Sequence, residues 1–387
     1  MIELKEEAVF NAKAVLVCPR FTPSADPIRQ EETAALCRTM GLDVIAVLDA
    51  PLKVPKAATY IGSGKVEQLA ALADETGCAI AVFDCDLSPT MQLNLEQATG
   101  LCIIDRQEVI IQIFADRART REARIQVDLA RLKYSLPRLS RKWTSLSQTR
   151  GGVRGGKGAG EKQLELDRRY VESRIRSLQR ELDKVKRQRS VQRGSRMGGD
   201  IPKIALVGYT NSGKSSLLNA LCGSDVLAQD KLFATLDPVT RRLGLPDSSV
   251  ALLTDTVGFV RDLPHQLIDS FRSTLEEAAL ADVLLLICDA THPDVLLCFE
   301  TAIGVLEELG CKDRKTIVVI NKMDALTPER EGRLGILEAR ASQITPVPVQ
   351  KISVLTGFGL KALRNCISQV IRSPLSESEQ GPCLQSL

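Results

Sequence analysis

Residues 201–221, IPKIALVGYTNSGKSSLLNAL, read as a strand, a glycine-bounded loop and a helix in immediate succession. Within them Gly208, Tyr209, Thr210, Asn211, Ser212, Gly213, Lys214 and Ser215 fit G-x-x-x-x-G-K-[ST], the Walker A phosphate-binding loop. The glycines let successive backbone N–H groups turn in around an oxyanion, and the helix that follows adds its positive end. Lys214 can reach the outer phosphates and the Ser215 hydroxyl can ligate Mg²⁺. Such a loop needs a buried strand to deliver it and a helix N-terminus to receive it. Apolar residues 204–207 before it and Leu217, Leu218 and Leu221 at helical spacing after it supply both.

A phosphate loop alone does not choose between ATP and GTP. That choice is carried by Asn321, Lys322, Met323 and Asp324, directly after the strand-like residues 316–320. The Asp324 carboxylate can accept from both N1–H and N2–H₂ of guanine, whereas adenine presents no such donor pair. Asn321 can reach the other ring edge, and the aliphatic stem of Lys322 can lie over the base. Between the two motifs, Asp255, Thr256, Val257 and Gly258 follow an apolar strand; Asp255 can hold Mg²⁺ through its water shell while the Gly258 N–H meets a γ-phosphate. Residues 233–240 form the expected switch segment, with Phe233, Ala234, Thr235, Leu236 and Asp237 as nucleotide-site candidates and Thr235 the first choice and Thr240 the second for completing the Mg²⁺ shell. Ser353, Val354 and Leu355 stand where a loop would brace the guanine, although an ordinary strand-to-helix turn accounts for them too. No catalytic residue is assigned, because Phe259 occupies the place where many GTPases carry a water-orienting Gln. An Asn at position 211 suggests K⁺ as a further cation between the phosphates, with a plain polar loop residue as the alternative.

At 387 residues the chain exceeds one domain. Residues 1–116 alternate short apolar runs (14–18, 44–48, 79–84, 101–104) with helical patterns (28–40, 65–76, 88–98), which predicts a small parallel α/β sheet. In that region Gly62-Ser-Gly-Lys65 imitates a second phosphate loop, but Val66 follows Lys65 and Thr59 replaces the first glycine; a tight turn opening a helix is the better reading. Asp84-Cys-Asp86 reads as a solvated loop.

Residues 117–193 differ. Ile125, Leu129, Leu132, Leu136 and Leu139 step by 4, 3, 4 and 3, as do Val171, Ile175, Leu178, Leu182 and Val185, predicting an antiparallel helical hairpin with a narrow seam. Pro137 is expected to end or kink the first arm near Ser135. Between the arms, residues 150–160 form a glycine-rich tip carrying Arg150, Arg154 and Lys157. Residues 117–196 hold 24 Lys/Arg against 8 Asp/Glu, a local excess of 16 in a chain whose net charge is +3, so the remainder is net −13. That asymmetry points to an anionic polymer as partner or, more plainly, to a solvated helical face. Residues 194–200 read as a linker, 201–374 as a nucleotide domain with a mostly parallel sheet and helices on both faces, and 375–387 as a flexible tail.

The acidic N-terminal stretch lacks a signal-peptide pattern and no apolar run approaches a membrane span, which together suggest a cytoplasmic protein. The 11 scattered cysteines without a C-x-x-C pair suggest reduced thiols.

The nucleotide motifs, the run Asp255-Thr-Val-Gly-Phe259-Val-Arg-Asp-Leu-Pro264-His265 continuing through Phe271-Arg-Ser-Thr-Leu-Glu276-Glu277, the turn Ile61-Gly-Ser-Gly-Lys65-Val66 and Gln163-Leu-Glu165-Leu-Asp167-Arg168-Arg169 together resemble the HflX family of GTPases. The resemblance spans nearly all of residues 8–374. It implies a GTP-hydrolysing, monomeric factor, slow alone and stimulated by ribosomes, that binds the large ribosomal subunit and its rRNA and promotes splitting or rescue of stalled ribosomes. The glycine-rich tip would then face the peptidyl-transferase region. A GTP-gated RNA-binding factor acting in ribosome assembly is the alternative. Lys157-Gly-Ala159-Gly-Glu161-Lys162 departs from the family's usual R-G-P-G-E-T, and Val354 stands where Ala is usual; the C-terminal extension of many members is here a short tail.

Overall fold

The computed structural model describes residues 12–21, 26–149, 157–196, 201–223, 232–233, 235–261 and 277–373. The chain divides into two compact units. The first is built mainly from the N-terminal half and also takes in Phe233–Asp237; the second holds the phosphate loop and the base-recognition motifs.

In the first unit, strands β1 (Ala12–Arg20), β2 (Leu42–Pro51), β3 (Ile80–Phe83) and β4 (Cys102–Asp105) form an all-parallel sheet in the order β2-β1-β3-β4. Helices α1 (Pro27–Met40), α2 (Ser63–Thr76), α3 (Pro89–Thr99) and α4 (Arg106–Arg117) connect and follow the strands. Local signals set their limits: Asp26 and Ser88 accept from the third residue on, at Arg29 and Met91, each with proline in the first turn of the helix it caps. Val15, Val17, Ala81, Phe83 and Ile103 line the core with Leu69 of α2 and Leu95 of α3. Gly62 caps α2, so the false phosphate loop is the helix-opening turn expected of it.

Helix α4 has no counterpart in the reading of residues 1–116 above. Its signals are an Asp105 N-cap that accepts from the Glu108 N–H at 2.8 Å and apolar residues at 109, 110, 113 and 114. Asp84 is also not solvated. It is buried after β3, accepting from Arg29 Nε at 2.7 Å, from Arg106 at 2.8 Å and from the Thr33 hydroxyl at 2.7 Å. Burial this deep is tolerated because each carboxylate oxygen has a cationic or hydroxyl partner. Asp86 remains exposed.

The hairpin consists of α5 (Arg121–Thr149) and α6 (Lys157–Arg196). Ile125 and Leu129 of one arm bury against Leu178 and Leu182 of the other, flanked by Leu132, Ile175 and Val185. Arg121 pairs with Glu181 at 2.6 Å, so the start of α5 lies beside the late turns of α6 and the arms are antiparallel. Helix α5 continues through Pro137 instead of stopping near Ser135. Continuing through proline forfeits the helical hydrogen bond to the Lys133 carbonyl, and side chains bond the carbonyls on either side of it: Arg138 donates to that of Tyr134 at 3.0 Å and the Ser135 hydroxyl to that of Leu132 at 3.1 Å. Helix α6 begins at Lys157, so residues 157–160 of the expected tip are its first turn, and it extends to Arg196, three residues into the expected linker. Helix propagation past a formed nucleus needs only one residue fixed per bond gained. Arg150, Arg154 and the rest of the tip, residues 197–200 and the tail lie outside the described residues.

The second unit carries a six-stranded sheet in the order β10-β9-β8-β5-β7-β6, from β5 (Lys203–Gly208), β6 (Val239–Gly244), β7 (Val250–Asp255), β8 (Val283–Asp289), β9 (Lys315–Asn321) and β10 (Gln350–Lys351). Only the edge strand β6 is antiparallel. Strands β5, β8 and β9 are buried almost throughout, as expected of central parallel strands covered on both faces. Helices α7 (Lys214–Cys222), α8 (Val295–Glu308), α9 (Pro328–Ile344) and α10 (Leu360–Arg372) supply the cover. No helix among the described residues is long and apolar enough to cross a membrane.

Candidate nucleotide-binding site

The C-terminal ends of β5, β7, β8 and β9 bring the motifs of the second unit to one rim of the sheet, the edge at which open α/β sheets bind ligands. Helix α7 opens at Lys214, so the phosphate loop ends on a helix N-terminus. Gly213 has φ +92°, and a Cβ there would lie 2.3 Å from the Asn321 side-chain nitrogen; the position admits glycine only. Asn211 has φ +61°, a left-handed conformation that Asn tolerates better than most residues, so backbone geometry already accounts for its type.

Lys214 is buried and donates to the carbonyls of Gly208 at 3.1 Å and Tyr209 at 2.7 Å. Burial lowers its pKa to about 8, with Asp255 opposing and Lys322 reinforcing the fall. The hydroxyls of Thr210 and Ser212 are buried in the loop without a hydrogen-bond partner among the described residues. Buried hydroxyls of this kind are costly unless something supplies the bond, and phosphate oxygens would. The Ser215 hydroxyl donates to the fully buried Asp255 at 2.6 Å, an oxygen pair of the hard-donor type that suits Mg²⁺.

The base-recognition segment is a tied assembly. Asn321 ends β9; its Nδ2 donates to the Ser212 carbonyl at 2.9 Å and its Oδ1 accepts from the Val354 N–H at 3.3 Å. Both ends of the amide are thus engaged in joining the phosphate loop to the 353–355 loop, a role that spacing alone did not reveal. Lys322 pairs with Asp289 at the end of β8 at 2.6 Å, which fixes the end of its stem. Met323 and Asp324 enter a single 3₁₀ turn. Asp324 accepts from the Ser353 hydroxyl at 2.5 Å, so one of its oxygens is already oriented, while Ser353 also caps the Thr356 N–H at 3.1 Å. Leu355 is exposed.

Thr256 is buried, its hydroxyl on the Leu206 carbonyl at 2.6 Å, and Val257 is buried beside it. A Cβ on Gly258 would fall 2.8 Å from Thr210 Cα and 2.9 Å from Lys214 Nζ. This glycine therefore touches the phosphate loop. Phe259 is 1% exposed, a core residue and not a group facing solvent. Thr240 lies in β6 with its hydroxyl 2.9 Å from that of Thr254, committed to the ladder. Thr235 precedes the strand and is grouped, with Phe233, Leu236 and Asp237, in the first unit; Ala234 is outside the described residues. There Phe233 packs edge-on against Phe114 at 4.7 Å, and Asp237 accepts from the N–H groups of Arg119 and Thr120 at 3.1 Å and from the Thr120 hydroxyl at 2.5 Å.

Three family models match in order: GTP-binding GTPase N-terminal over residues 28–115, GTP-binding GTPase Middle Region over 117–196 and 50S ribosome-binding GTPase over 203–322. The chain is 49% identical to GTPase HflX of Treponema denticola over 351 residues, spanning 89% of this chain and 88% of that one. The chain belongs to the HflX family of GTPases. It is also 41% identical to the Escherichia coli HflX over 94% of its own length and 84% of the relative's. Among solved structures, the HflX fold here resembles a GDP complex of SsGBP, with a TM-score of 0.54, 27% identity and coverage of 93% of this chain and 98% of that one. The HflX relationship makes this chain a GTP-binding, GTP-hydrolysing enzyme, and the rim of the second unit is its candidate nucleotide site.

Proposed function

We propose that this HflX-family GTPase binds the large ribosomal subunit through its basic hairpin and, in the GTP state, splits ribosomes or rescues stalled ones. One observation carries the reading. At 100° per residue, the buried seam of α6 (Ile175, Leu178, Leu182 and Val185) lies on one side, and Arg169, Arg176, Arg180, Lys184 and Arg187 cluster within about 80° on the opposite side. All five are exposed. A stripe so placed faces away from the seam and can lie along a phosphate backbone while the seam holds the hairpin together, with Arg169 also paired to Glu165 at 2.8 Å. The family model named for 50S binding, matched over residues 203–322, supports the same partner.

In this reading Ser215 and Thr235 ligate Mg²⁺, with Asp255 acting through its water shell, and the metal neutralises charge on the transferring phosphoryl group. K⁺ held near Asn211 would add to that neutralisation, which a higher rate in K⁺ than in Na⁺ would reveal. With Phe259 packed in the core, nothing at that position orients the attacking water, so turnover alone is slow and the ribosome accelerates it. Arg150, Arg154 and Lys157 are proposed as further RNA contacts at the tip.

The test is co-sedimentation with purified large subunits across a salt series, using a non-hydrolysable GTP analogue. Replacing Arg176, Arg180 and Lys184 together by Ala is expected to lower the slope of log affinity against log salt by roughly 2–3, from about 0.7–0.9 per phosphate contact, and to leave GTP binding unchanged. An unaltered slope together with an unaltered ribosome-stimulated rate would return the stripe to the status of a solvated face. Co-migration with immature particles alone would favour an assembly role.

A further inference from the structure

We infer that Tyr209 is a positioning residue for γ-phosphate recognition: its phenol clips the chain beyond Gly258 to the phosphate loop. The clip has three parts. The Phe259 N–H donates to the Gly208 carbonyl at 3.0 Å, and the Thr210 N–H donates to the Phe259 carbonyl at 2.7 Å, a short parallel bridge that extends β5 into the loop. The Tyr209 hydroxyl then accepts from the Arg261 N–H at 2.7 Å, two residues further on. Tyr209 is itself nearly buried, its ring tilted against His292 at 5.9 Å, so the phenol oxygen is held by packing as well as by this bond.

Gly258 immediately precedes this clip. Its flank is already 2.9 Å from the Lys214 ammonium, so the peptide that would meet a γ-phosphate is placed by the bonds on its C-terminal side. Two of those bonds are between backbone groups and survive any side-chain change; the third depends on a single phenol oxygen. A GDP molecule has no γ-phosphate to contact Gly258, whereas the Lys214 and Gly213 region serves both nucleotides. Tyr209 should therefore act on the discrimination between triphosphate and diphosphate, and leave the shared part of the binding energy alone. The inference rests on the GTPase reading of this site and concerns how the third phosphate is sensed.

The experiment is the ratio of dissociation constants for GDP and a β,γ-methylene GTP analogue in Tyr209→Phe, which keeps the ring and removes the acceptor. The expected result is an unchanged GDP affinity, analogue affinity weakened about three- to tenfold, as for one hydrogen bond, and a fall in kcat with ribosomes present. Because both nucleotides bind the same folded population, the ratio stays meaningful even if the variant is less stable. An ester in place of the Val260–Arg261 amide deletes the donor instead of the acceptor and should reproduce the change. An unchanged ratio, or equal loss for both nucleotides, would overturn the assignment and leave Tyr209 a core residue.

Discussion

Lys214 makes nucleotide affinity depend on pH in a calculable way. In the structure its ammonium is buried against two carbonyls and its pKa is brought down to about 8 by loss of solvation. Bound phosphates would place negative charge at the ammonium and return the pKa toward or above the ordinary value of about 10.4. Binding then takes up a proton wherever the free enzyme's lysine is neutral. With those two values the dissociation constant rises about twofold from well below pH 8 to pH 8, and roughly tenfold between pH 7 and pH 9, about 1.4 kcal/mol. The sign is that affinity weakens as pH rises. Calorimetric titration of GDP at pH 8 in two buffers of different ionisation enthalpy should show uptake of about 0.5 proton per nucleotide. The uptake should vanish in Lys214→Arg, whose guanidinium does not titrate in this range. Zero uptake by the wild-type enzyme at pH 8 would mean that the lysine is already fully protonated before nucleotide arrives, and would refute the burial reasoning.

Asp324→Asn should weaken GTP binding by roughly 10²–10⁴, from two hydrogen bonds to a charged acceptor at about 1.5–3 kcal/mol each. Xanthosine triphosphate, which carries a carbonyl where guanine has its amino group, should regain affinity through the new amide donor; competition binding with both nucleotides checks this. In the first unit, Arg138 of α5 donates to Asp105 at 2.9 Å, to the Leu87 carbonyl at 2.9 Å and to Gln92 at 2.9 Å, while stacking 3.5 Å over Tyr134. Arg138→Ala should cost about 3–5 kcal/mol by urea denaturation at pH 7, because it leaves a buried carboxylate without its cation. Burial already raises the Asp105 pKa to about 6, with Arg138 the main opposing influence. Its contribution to stability is therefore complete below about pH 4 and lost as pH rises through 6, so the Arg138→Ala penalty should be smaller at pH 5 than at pH 7. Asp105→Asn should flatten that pH dependence.

What could be read from residues alone follows from how locally each feature is specified. The phosphate loop, the Asp255–Gly258 segment and the Asn321–Asp324 tetrad each sit at a strand end, where a short apolar run predicts the strand and the next few residues carry the chemistry. The hairpin was legible for a similar reason, since a 4–3 spacing on both arms leaves few other ways to bury Ile125, Leu129, Leu178 and Leu182. Polar side chains with distant partners were not legible. Asp84 looked solvated because nothing near it in sequence announces Thr33 or Arg106, which lie 51 and 22 residues away. Asn321 looked free to read the base, yet its amide is claimed by the Ser212 carbonyl, 109 residues back, and by the Val354 N–H. The switch segment shows the same limit most sharply. Motif order assigns Phe233 and Asp237 to the nucleotide domain, while Phe114, Arg119 and Thr120 hold them in the first unit. Thr120, which holds Asp237, lies 117 residues back in the chain, and such distant partners are the reason the segment packs with the first unit. Covalent neighbours cannot disclose that reason, because a residue type records which contacts are possible and only the fold decides which partner takes them.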